Sequence, residues 1–176
     1  MSLSSATSLP DNTHLGVITG QCAIALGSNL GDSRAILEAA LKTLAQTPDI
    51  ILQERSSWYQ TKAVGPPQPD YINGCAILHV KISPQVLLER LLAIEAQFGR
   101  VRRERWGPRL VDIDILLYDD LILNTSTLVL PHPQMRERAF VLVPLAEIAP
   151  NWVEPVSQKA IAELVQAVDC TGVDRV

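Results

Sequence analysis

Apolar residues recur along this chain at two different spacings. Four segments have the apolar, β-branched or alternating composition of strands: residues 22–26, 50–61, 71–82 and 110–118. Two segments carry apolar residues three and four apart, as one face of a helix does: residues 33–47 and 84–98. The order is therefore β-α-β-β-α-β, which predicts an α+β, ferredoxin-like fold with an antiparallel sheet and helices on one face.

The sequence also marks the ends of the two helices. Asp32 or Ser33 can cap the first helix, because a short polar side chain there accepts a bond from a backbone N–H of the first turn. Ser83 followed by Pro84 predicts the start of the second helix, and Gly99 predicts its end.

The two ends of the chain differ in character. The first 20 residues are rich in Ser and Thr and lack the basic start and apolar block of a secretory signal, so we expect a mobile tail before a single domain over residues 21–176. After the fourth strand, the apolar run at 140–145 should pack into the core. Residues 157–168 predict a last amphipathic helix in a C-terminal extension.

Composition narrows the class of protein. No apolar run approaches the roughly 20 residues that cross a bilayer, so we expect no membrane partner. Three widely spaced cysteines (Cys22, Cys75 and Cys170) suit a reducing cytoplasm better than a disulfide framework. The 176 residues have a formal net charge of -4, which argues against a nucleic-acid partner.

Positive charge is concentrated in one segment. Residues 99–109 contain five arginines and one acid, and two further arginines, Arg136 and Arg138, follow in another loop. Together these are seven of the eleven arginines in the chain. Arginine binds phosphate groups in a planar, bidentate way, so a local anion site is indicated, although surface ion pairs would explain the same residues.

Two aspartates, Asp112 and Asp114, interrupt the apolar run WGPRLVDIDILLYDD. Side chains alternate along a strand, so both carboxylates should share one face, with α-carbons roughly 6.6 Å apart. The apolar residues of the other face should form the core under the helices: Val111, Ile113, Ile115 and Leu117. The carboxylates repel one another unless cations such as two Mg²⁺ ions bridge them, or unless they lie on an exposed polar face.

Several other side chains have both a structural and a functional interpretation. GSNLG at 27–31 is either a strand–helix turn or a phosphate-binding loop. His132 is either structural or catalytic, and Glu95, beside the apolar Ile94, is a solvated helix residue unless the fold turns it toward the basic loop. Three aromatic residues at loop borders belong to the core or stack on a planar ligand: Tyr71, Trp106 and Phe140.

Four segments together resemble one family. LGSNLGD, QPDYINGCA, FGRVRRERWGPRLVDIDILLYDD and PHPQMRERAFVLVPLAEIAP are similar, in this order, to 6-hydroxymethyl-7,8-dihydropterin pyrophosphokinase. The resemblance implies a ferredoxin-like enzyme of folate biosynthesis. We expect it to be cytoplasmic and monomeric. Its substrates would be ATP and 6-hydroxymethyl-7,8-dihydropterin. The β,γ-pyrophosphoryl group of ATP would move to the hydroxymethyl oxygen of the pterin, with AMP released.

The resemblance also implies a role for individual residues. Two Mg²⁺ ions would be bound by Asp112 and Asp114, which are catalytic together with Arg100 and Arg102. The ATP site would contain Glu95, Arg100, Arg109, Ile115, His132 and Arg138. The pterin site would contain Thr61, Val64, Tyr71, Asn73, Trp106 and Phe140.

Two other classes of function remain compatible with the residues taken alone. A two-metal phosphohydrolase could use the same acids and arginines, but it needs an activated water, and no evident base accompanies the acid pair. A ferredoxin-like RNA-binding module would need aromatic residues along a central strand, whereas YINGCAILHVKI has one, at its edge.

Overall fold

The computed structural model of this chain describes residues 19–99 and 110–176. Nearly all of the predicted N-terminal tail and the whole arginine-rich segment 100–109 lie outside the described residues. No helix in the described part is long and apolar enough to cross a membrane.

The described residues contain ten strands, four α-helices and one short 3₁₀ helix. The strands are β1 Gly20–Ser28, β2 Ile50–Arg55, β3 Tyr59–Thr61, β4 Tyr71–Val80, β5 Asp112–Tyr118, β6 Leu123–Asn124, β7 Val129–Leu130, β8 Val153–Glu154, β9 Lys159–Ala160 and β10 Asp174–Arg175. The helices are α1 Ser33–Ala45, α2 Pro84–Gln97, α3 Ala139–Ile148 and α4 Ile161–Gln166, with the 3₁₀ helix at Met135–Glu137.

Six strands form one antiparallel sheet in the order β10-β3-β4-β1-β5, with β2 also paired to β4. The prediction of a mixed helix and sheet protein with an antiparallel sheet is therefore confirmed. The predicted helix ends are confirmed too. Asp32 accepts a bond from Ala35 N at 3.2 Å, Ser83 accepts one from Val86 N at 3.3 Å, and Gly99 has a φ of +73°.

The segment predicted as one strand over 50–61 is divided into β2 and β3. Between them the Trp58 side chain turns into the core and is 3% exposed. Its ring occupies the space over Gly74, where an added Cβ would lie 2.6 Å from the ring. The strand is thus interrupted at the segment that carries this buried ring.

Helices cover both faces of the sheet. α1 and α2 pack on the first face, where the core includes Leu37, Leu44, Leu87 and Leu91. The second face packs against α3 and α4 through Val141, Leu142, Leu145, Ile161 and Leu164. The expectation of helices on one face is wrong, because the apolar C-terminal extension buries the second face as well.

The C-terminal extension has a different secondary structure from the one predicted. Residues 153–160 form the hairpin β8–β9, with Gln158 in a left-handed conformation, φ 60°. The last helix is therefore limited to Ile161–Gln166 instead of 157–168.

A β-bulge changes which residues of β5 face each core. Ala23 pairs with Leu117 but the next residue, Ile24, pairs with Ile115, so Leu116 has no opposite residue on β1. Val111, Ile113 and Ile115 lie under α1 and α2 as predicted. Leu117 instead joins Leu116 in the core of the second face, because the extra residue shifts the alternation by one.

Candidate active site

A cavity of about 250 Å³ lies between the second face of the sheet and the N-terminal end of α3. β1, β3, β4, β5, α3 and the loop after β3 all contribute to its walls. Its lining comprises Ala25, Leu26, Gly27, Thr61, Lys62, Val64, Tyr71, Asn73, Gly74, Asp112, Asp114, Arg138, Phe140 and Val141. Eight of the site residues predicted from the sequence are part of this lining.

The floor of the cavity is set by the strand register. Gly27 on β1 lies opposite Asn73 on one side and opposite Asp112 on the other. A Cβ at Gly27 would lie 2.8 Å from Asn73 Oδ1, closer than such contacts occur. Glycine is therefore required for the Asn73 carboxamide to occupy this position.

Asn73 is fixed by a neighbouring strand. Its amide Nδ2 donates to Thr61 Oγ1 at 2.7 Å, and the two side chains are buried. A planar carboxamide held in one orientation can distinguish donors from acceptors on the edge of a ring, since its oxygen accepts and its nitrogen donates. Tyr71 from β4 and Phe140 from α3 add two half-buried aromatic rings to the same cavity.

The two aspartates lie on the cavity side of β5. Asp112 is half-buried, Asp114 is exposed, and each lies opposite a small residue of β1, Gly27 and Ala25 respectively. The described residues contain no cluster of three or more His, Cys, Asp or Glu that could hold a metal by themselves. Two carboxylates nevertheless suit Mg²⁺, which is usually held by one or two carboxylates together with water and substrate phosphates.

Glu95 supports the acid pair from α2. Its side chain is 2% exposed, and its Oε1 accepts a bond from Ile113 N at 2.7 Å. The interpretation of Glu95 as a solvated helix residue is wrong, because the fold turns it inward against the strand. It lies outside the cavity lining, and this bond joins it to the backbone between Asp112 and Asp114.

His132 lies beside the bulge of β5, where its backbone N–H donates to Leu116 O at 2.9 Å. Its Nδ1 accepts a bond from Gln134 N at 3.2 Å, which assigns the ring proton to Nε2. Burial lowers the pKa of His132, the negative charge of Asp114 opposes this, and Arg138 lowers the pKa further. The imidazole is therefore favoured in its neutral form.

The two arginines after His132 have different surroundings. Arg138 lines the cavity, lies 5.5 Å from the centroid of the Phe140 ring and donates to Gln134. Arg136 is directed instead to the buried carboxylate of Glu154, at 3.7 Å. Arg138 is thus the arginine of this pair that is placed to meet an anion in the cavity.

The remaining predicted site residues differ in their position relative to the cavity. Ile115 is 4% exposed in the core under α1 and α2, so its side chain faces away from the cavity. Val64, 68% exposed, lies in the loop 62–70, which Asn29 holds by donating to Gln68 Oε1 and Pro69 O at 2.9 Å each. Four predicted site residues lie outside the described residues: Arg100, Arg102, Trp106 and Arg109.

Sequence reasoning missed several residues of the lining. Gly27 belonged to a turn with two interpretations, and nothing in the sequence pairs it with Asn73. Val141 was assigned only to the core, although the N-terminal end of α3 also borders the cavity. Lys62 follows Thr61 directly, so its proximity to that predicted site residue was the available clue.

The comparisons with known proteins agree with one another. The family model described as 7,8-dihydro-6-hydroxymethylpterin-pyrophosphokinase (HPPK) matches residues 23–150. A Synechocystis sp. protein named 2-amino-4-hydroxy-6-hydroxymethyldihydropteridine pyrophosphokinase is 51% identical over 169 residues, which cover 96% of this chain and 84% of the relative. A Haemophilus influenzae protein of the same name is 48% identical over 144 residues, covering 81% of this chain and 89% of the relative.

A solved structure gives the same result for the fold. The wild-type Plasmodium falciparum HPPK-DHPS matches with a TM-score of 0.68 and 15% sequence identity, over 88% of this chain and 42% of that chain. This chain thus spans less than half of that protein. The family model and the close relatives together show that the chain belongs to the 7,8-dihydro-6-hydroxymethylpterin-pyrophosphokinase family.

Proposed function

We propose that the cavity beneath α3 is where this pyrophosphokinase of folate biosynthesis transfers the β,γ-pyrophosphoryl group of ATP to 6-hydroxymethyl-7,8-dihydropterin. The products are AMP and the pterin diphosphate. One observation carries the proposal. One cavity is lined by all the groups concerned: the carboxylates of Asp112 and Asp114, the rings of Tyr71 and Phe140, and the carboxamide of Asn73. A metal–phosphate site and a planar-ligand site are thus adjacent, as a transfer between ATP and a pterin requires.

The pterin is bound between the aromatic rings of Tyr71 and Phe140. Its polar edge meets Asn73, which Thr61 orients through the 2.7 Å bond. Val64 lines the same cavity, and the proposal also assigns Trp106, which lies outside the described residues, to pterin binding. This arrangement recognises a flat, hydrogen-bonding ring by stacking and by edge contacts together.

The phosphates of ATP lie towards β5. Asp112 and Asp114 would hold two Mg²⁺ ions, which supply Lewis-acid neutralisation of phosphate charge. Arg138 and neutral His132 lie near the phosphates. The proposal assigns three further arginines, all outside the described residues, to phosphate binding: Arg100, Arg102 and Arg109. Glu95 keeps the acid pair in position through Ile113 N. The backbone of Ile115 supplies the remaining ATP contact, since its side chain faces the opposite core.

Arginines in two segments favour attack at the β-phosphorus of ATP. They can hold the β- and γ-phosphates as one transferred unit, which simple γ-phosphoryl transfer does not require. The hydroxymethyl oxygen forms a bond to the β-phosphorus while the bond from that phosphorus to the α,β-bridging oxygen breaks. AMP then leaves, and the hydroxyl proton passes to solvent.

Chromatography of the nucleotide products tests this reaction. Purified protein with Mg²⁺, ATP and the hydroxymethyl pterin should give AMP and pterin diphosphate in equal amounts. A parallel reaction without pterin should give neither AMP nor ADP. ADP with a pterin monophosphate would contradict β-attack, and ATP breakdown without pterin would instead favour the phosphohydrolase alternative.

Some finer assignments belong to the same proposal. The sheet order β5-β1-β4-β2 supports a ferredoxin-like classification, since β1 and β4 are central and α1 and α2 follow β1 and β4 in the chain.

The unpaired cysteines support a cytoplasmic location. We also propose that residues 21–176 form one catalytic domain. The enzyme acts as a monomer in this proposal, which light scattering of the purified protein would test.

A further inference from the structure

Glu147 on α3 binds the segment between β2 and β3 through three hydrogen bonds. Its Oε1 accepts from Ser57 N at 3.0 Å and from Ser57 Oγ at 2.8 Å, and its Oε2 accepts from Tyr59 OH at 2.6 Å. Tyr59 is 8% exposed and is the first residue of β3. One carboxylate therefore joins the last turns of α3 to the start of β3.

Both of these elements also form walls of the cavity. Phe140 and Val141 line it from the first turn of α3, and Thr61 lines it from the end of β3. Glu147 follows Phe140 by seven residues, which is about two helical turns, so the two side chains leave α3 on nearly the same side and about 10 Å apart. A shift at Glu147 therefore moves the Phe140 ring relative to Thr61.

Further contacts connect the same two walls beneath α3. Cys75 Sγ donates to Val141 O at 3.5 Å, and the Cys75 backbone N–H donates to Ser56 Oγ at 2.9 Å. Ser56 Oγ donates in turn to Ser57 O at 2.7 Å. Ser57, which donates to Glu147, is thus itself held against β4 beneath the cavity.

The charge of Glu147 is maintained at neutral pH. Burial raises the pKa of Glu147, but the bonds from Tyr59 and Ser57 and the positive charge of Arg175 together outweigh it, so the pKa is lowered. The same contact and burial raise the pKa of Tyr59 to about 12, so the phenol keeps the proton that it donates. Hydrogen bonds to an ionised acceptor are stronger than neutral ones.

We propose that Glu147 is a positioning residue for the pterin: by joining α3 to β3 it fixes the spacing between Phe140 and the Thr61–Asn73 pair. This inference rests on the proposed function, because it assumes that the pterin lies between these walls. Glu147 does not line the cavity, so its effect is transmitted through α3 and not by contact with substrate.

Substitution of Glu147 tests the inference. Glu147→Ala removes all three bonds and should raise the Kd and KM for the pterin on the order of tenfold, since displacement of a positioning wall by a fraction of an ångström weakens binding to this degree. The Kd for a non-hydrolysable ATP analogue with Mg²⁺ should change less than about twofold. Glu147→Gln should lose less than Glu147→Ala, because its oxygen can accept from Ser57 and its amide can donate to Tyr59, although without the charge.

Glu38 provides a matched control. It is also a glutamate that accepts three hydrogen bonds, from Arg55 and from Trp58, and it contacts the same segment from α1 on the opposite face. Glu38→Ala should lower the melting temperature without the selective loss of pterin affinity. A Tyr59→Phe variant, which loses one bond, should fall between the wild type and Glu147→Ala.

Each outcome is informative. Unchanged pterin affinity in Glu147→Ala, or equal losses for pterin and ATP analogue, would overturn the positioning role. Equal pterin losses in Glu147→Ala and Glu38→Ala would also overturn it, because the effect would then be general loosening. Failure of the wild type to bind pterin at all would overturn the proposed function instead, so the two failures are distinguishable.

Discussion

The carboxylate of Glu95 on α2 accepts a hydrogen bond from the backbone N–H of Ile113 on β5, at 2.7 Å, and so satisfies a group on the outer edge of that strand. β5 pairs with β1 on its other side, and the bonded residue lies between the two aspartates. A buried acid therefore fixes the part of β5 that carries Asp112 and Asp114.

Glu95→Ala should destabilise the protein by about 1–3 kcal/mol, because a buried N–H then lacks its acceptor. Glu95→Gln retains an acceptor oxygen and should lose less. Urea unfolding of the three proteins measures the free energy of unfolding, and product formation should fall in the same order. A wild-type stability for Glu95→Ala would show that the bond is not important for β5.

The acid pair should be essential for the reaction and not for the fold. Asp112→Asn and Asp114→Asn should each lower kcat by about 100-fold or more, because loss of a metal ligand costs several kcal/mol in the transition state. Circular dichroism and the melting temperature should stay near those of the wild type. Asp120→Asn, at an exposed aspartate in the turn after β5, is the control and should keep full activity. Equal activity in all four proteins would remove the acid pair from the proposal.

The Phe140 ring should affect one substrate much more than the other. Phe140→Ala should weaken pterin binding about tenfold, since stacking and the buried area of one ring are lost. Binding of the ATP analogue should change by less than about twofold, and Phe140→Tyr should retain most of the pterin affinity. Calorimetry with each ligand separates these effects. Equal losses for both ligands would indicate that Phe140 acts only as a core residue.

Gly27 should be sensitive to a single added carbon. Gly27→Ala places a Cβ 2.8 Å from Asn73 Oδ1, and Asn73 cannot move freely because it is buried and bonded to Thr61. We expect pterin affinity to fall about tenfold, as a displaced buried polar group loses its partner. In an Asn73→Ala background, the same change should cost little more. Additive losses in the double variant would contradict this steric mechanism.

Glu38 should give the protein a pH-dependent stability in acid. The bidentate contact with Arg55 is the main cause that lowers the pKa of Glu38 to about 2, with burial opposing and Trp58 adding to the lowering. Since the folded pKa is below that of the unfolded chain, the contribution is complete above about pH 5 and is lost as the pH falls towards 2. The contribution should be under about 1 kcal/mol, because both side chains are partly exposed to solvent.

Urea unfolding of the wild type and of Glu38→Gln between pH 7 and pH 2 measures this contribution. The difference between the two proteins should be largest at neutral pH and should vanish at the acid end. A difference that stayed constant with pH would mean that the charge of Glu38 is not what stabilises the contact.

Much of this fold could be predicted from the sequence, because those features depend on interactions between residues that are close together in the chain. Asp32, Ser83 and Gly99 mark helix ends through bonds or dihedral angles within a few residues, and all three are confirmed. The placement of Asp112 and Asp114 on one face follows from alternation in the same way. The division of the predicted 50–61 strand could not be seen, because it depends on the space that a distant residue, Gly74, leaves for Trp58.

The candidate site shows the same limit. The sequence named eight of the side chains that line the cavity, but not all of the residues that hold them in place. Glu95 was left with two interpretations, because helical spacing does not reveal that α2 packs beside the edge of β5. Gly27 acquires its importance only from its register with Asn73 on another strand. Such relations depend on tertiary pairing and have no local pattern.

The bulge at Leu116 has a consequence for how this strand tolerates insertions and deletions. Removal of Leu116 would leave residues 112–115 in register with β1 and would restore strict alternation beyond them. Leu117 and Tyr118 would keep their partners Ala23 and Cys22 and their faces, so the Tyr118 hydroxyl would still meet Ile82 O, to which it donates at 2.6 Å in the core under α2. A one-residue gap at the bulge therefore keeps the other side chains of β5 on their faces, whereas a gap elsewhere in the strand would move the residues beyond it to the opposite face. Sequence alignments of distant relatives should be anchored separately on the aspartate pair and on the end of the strand.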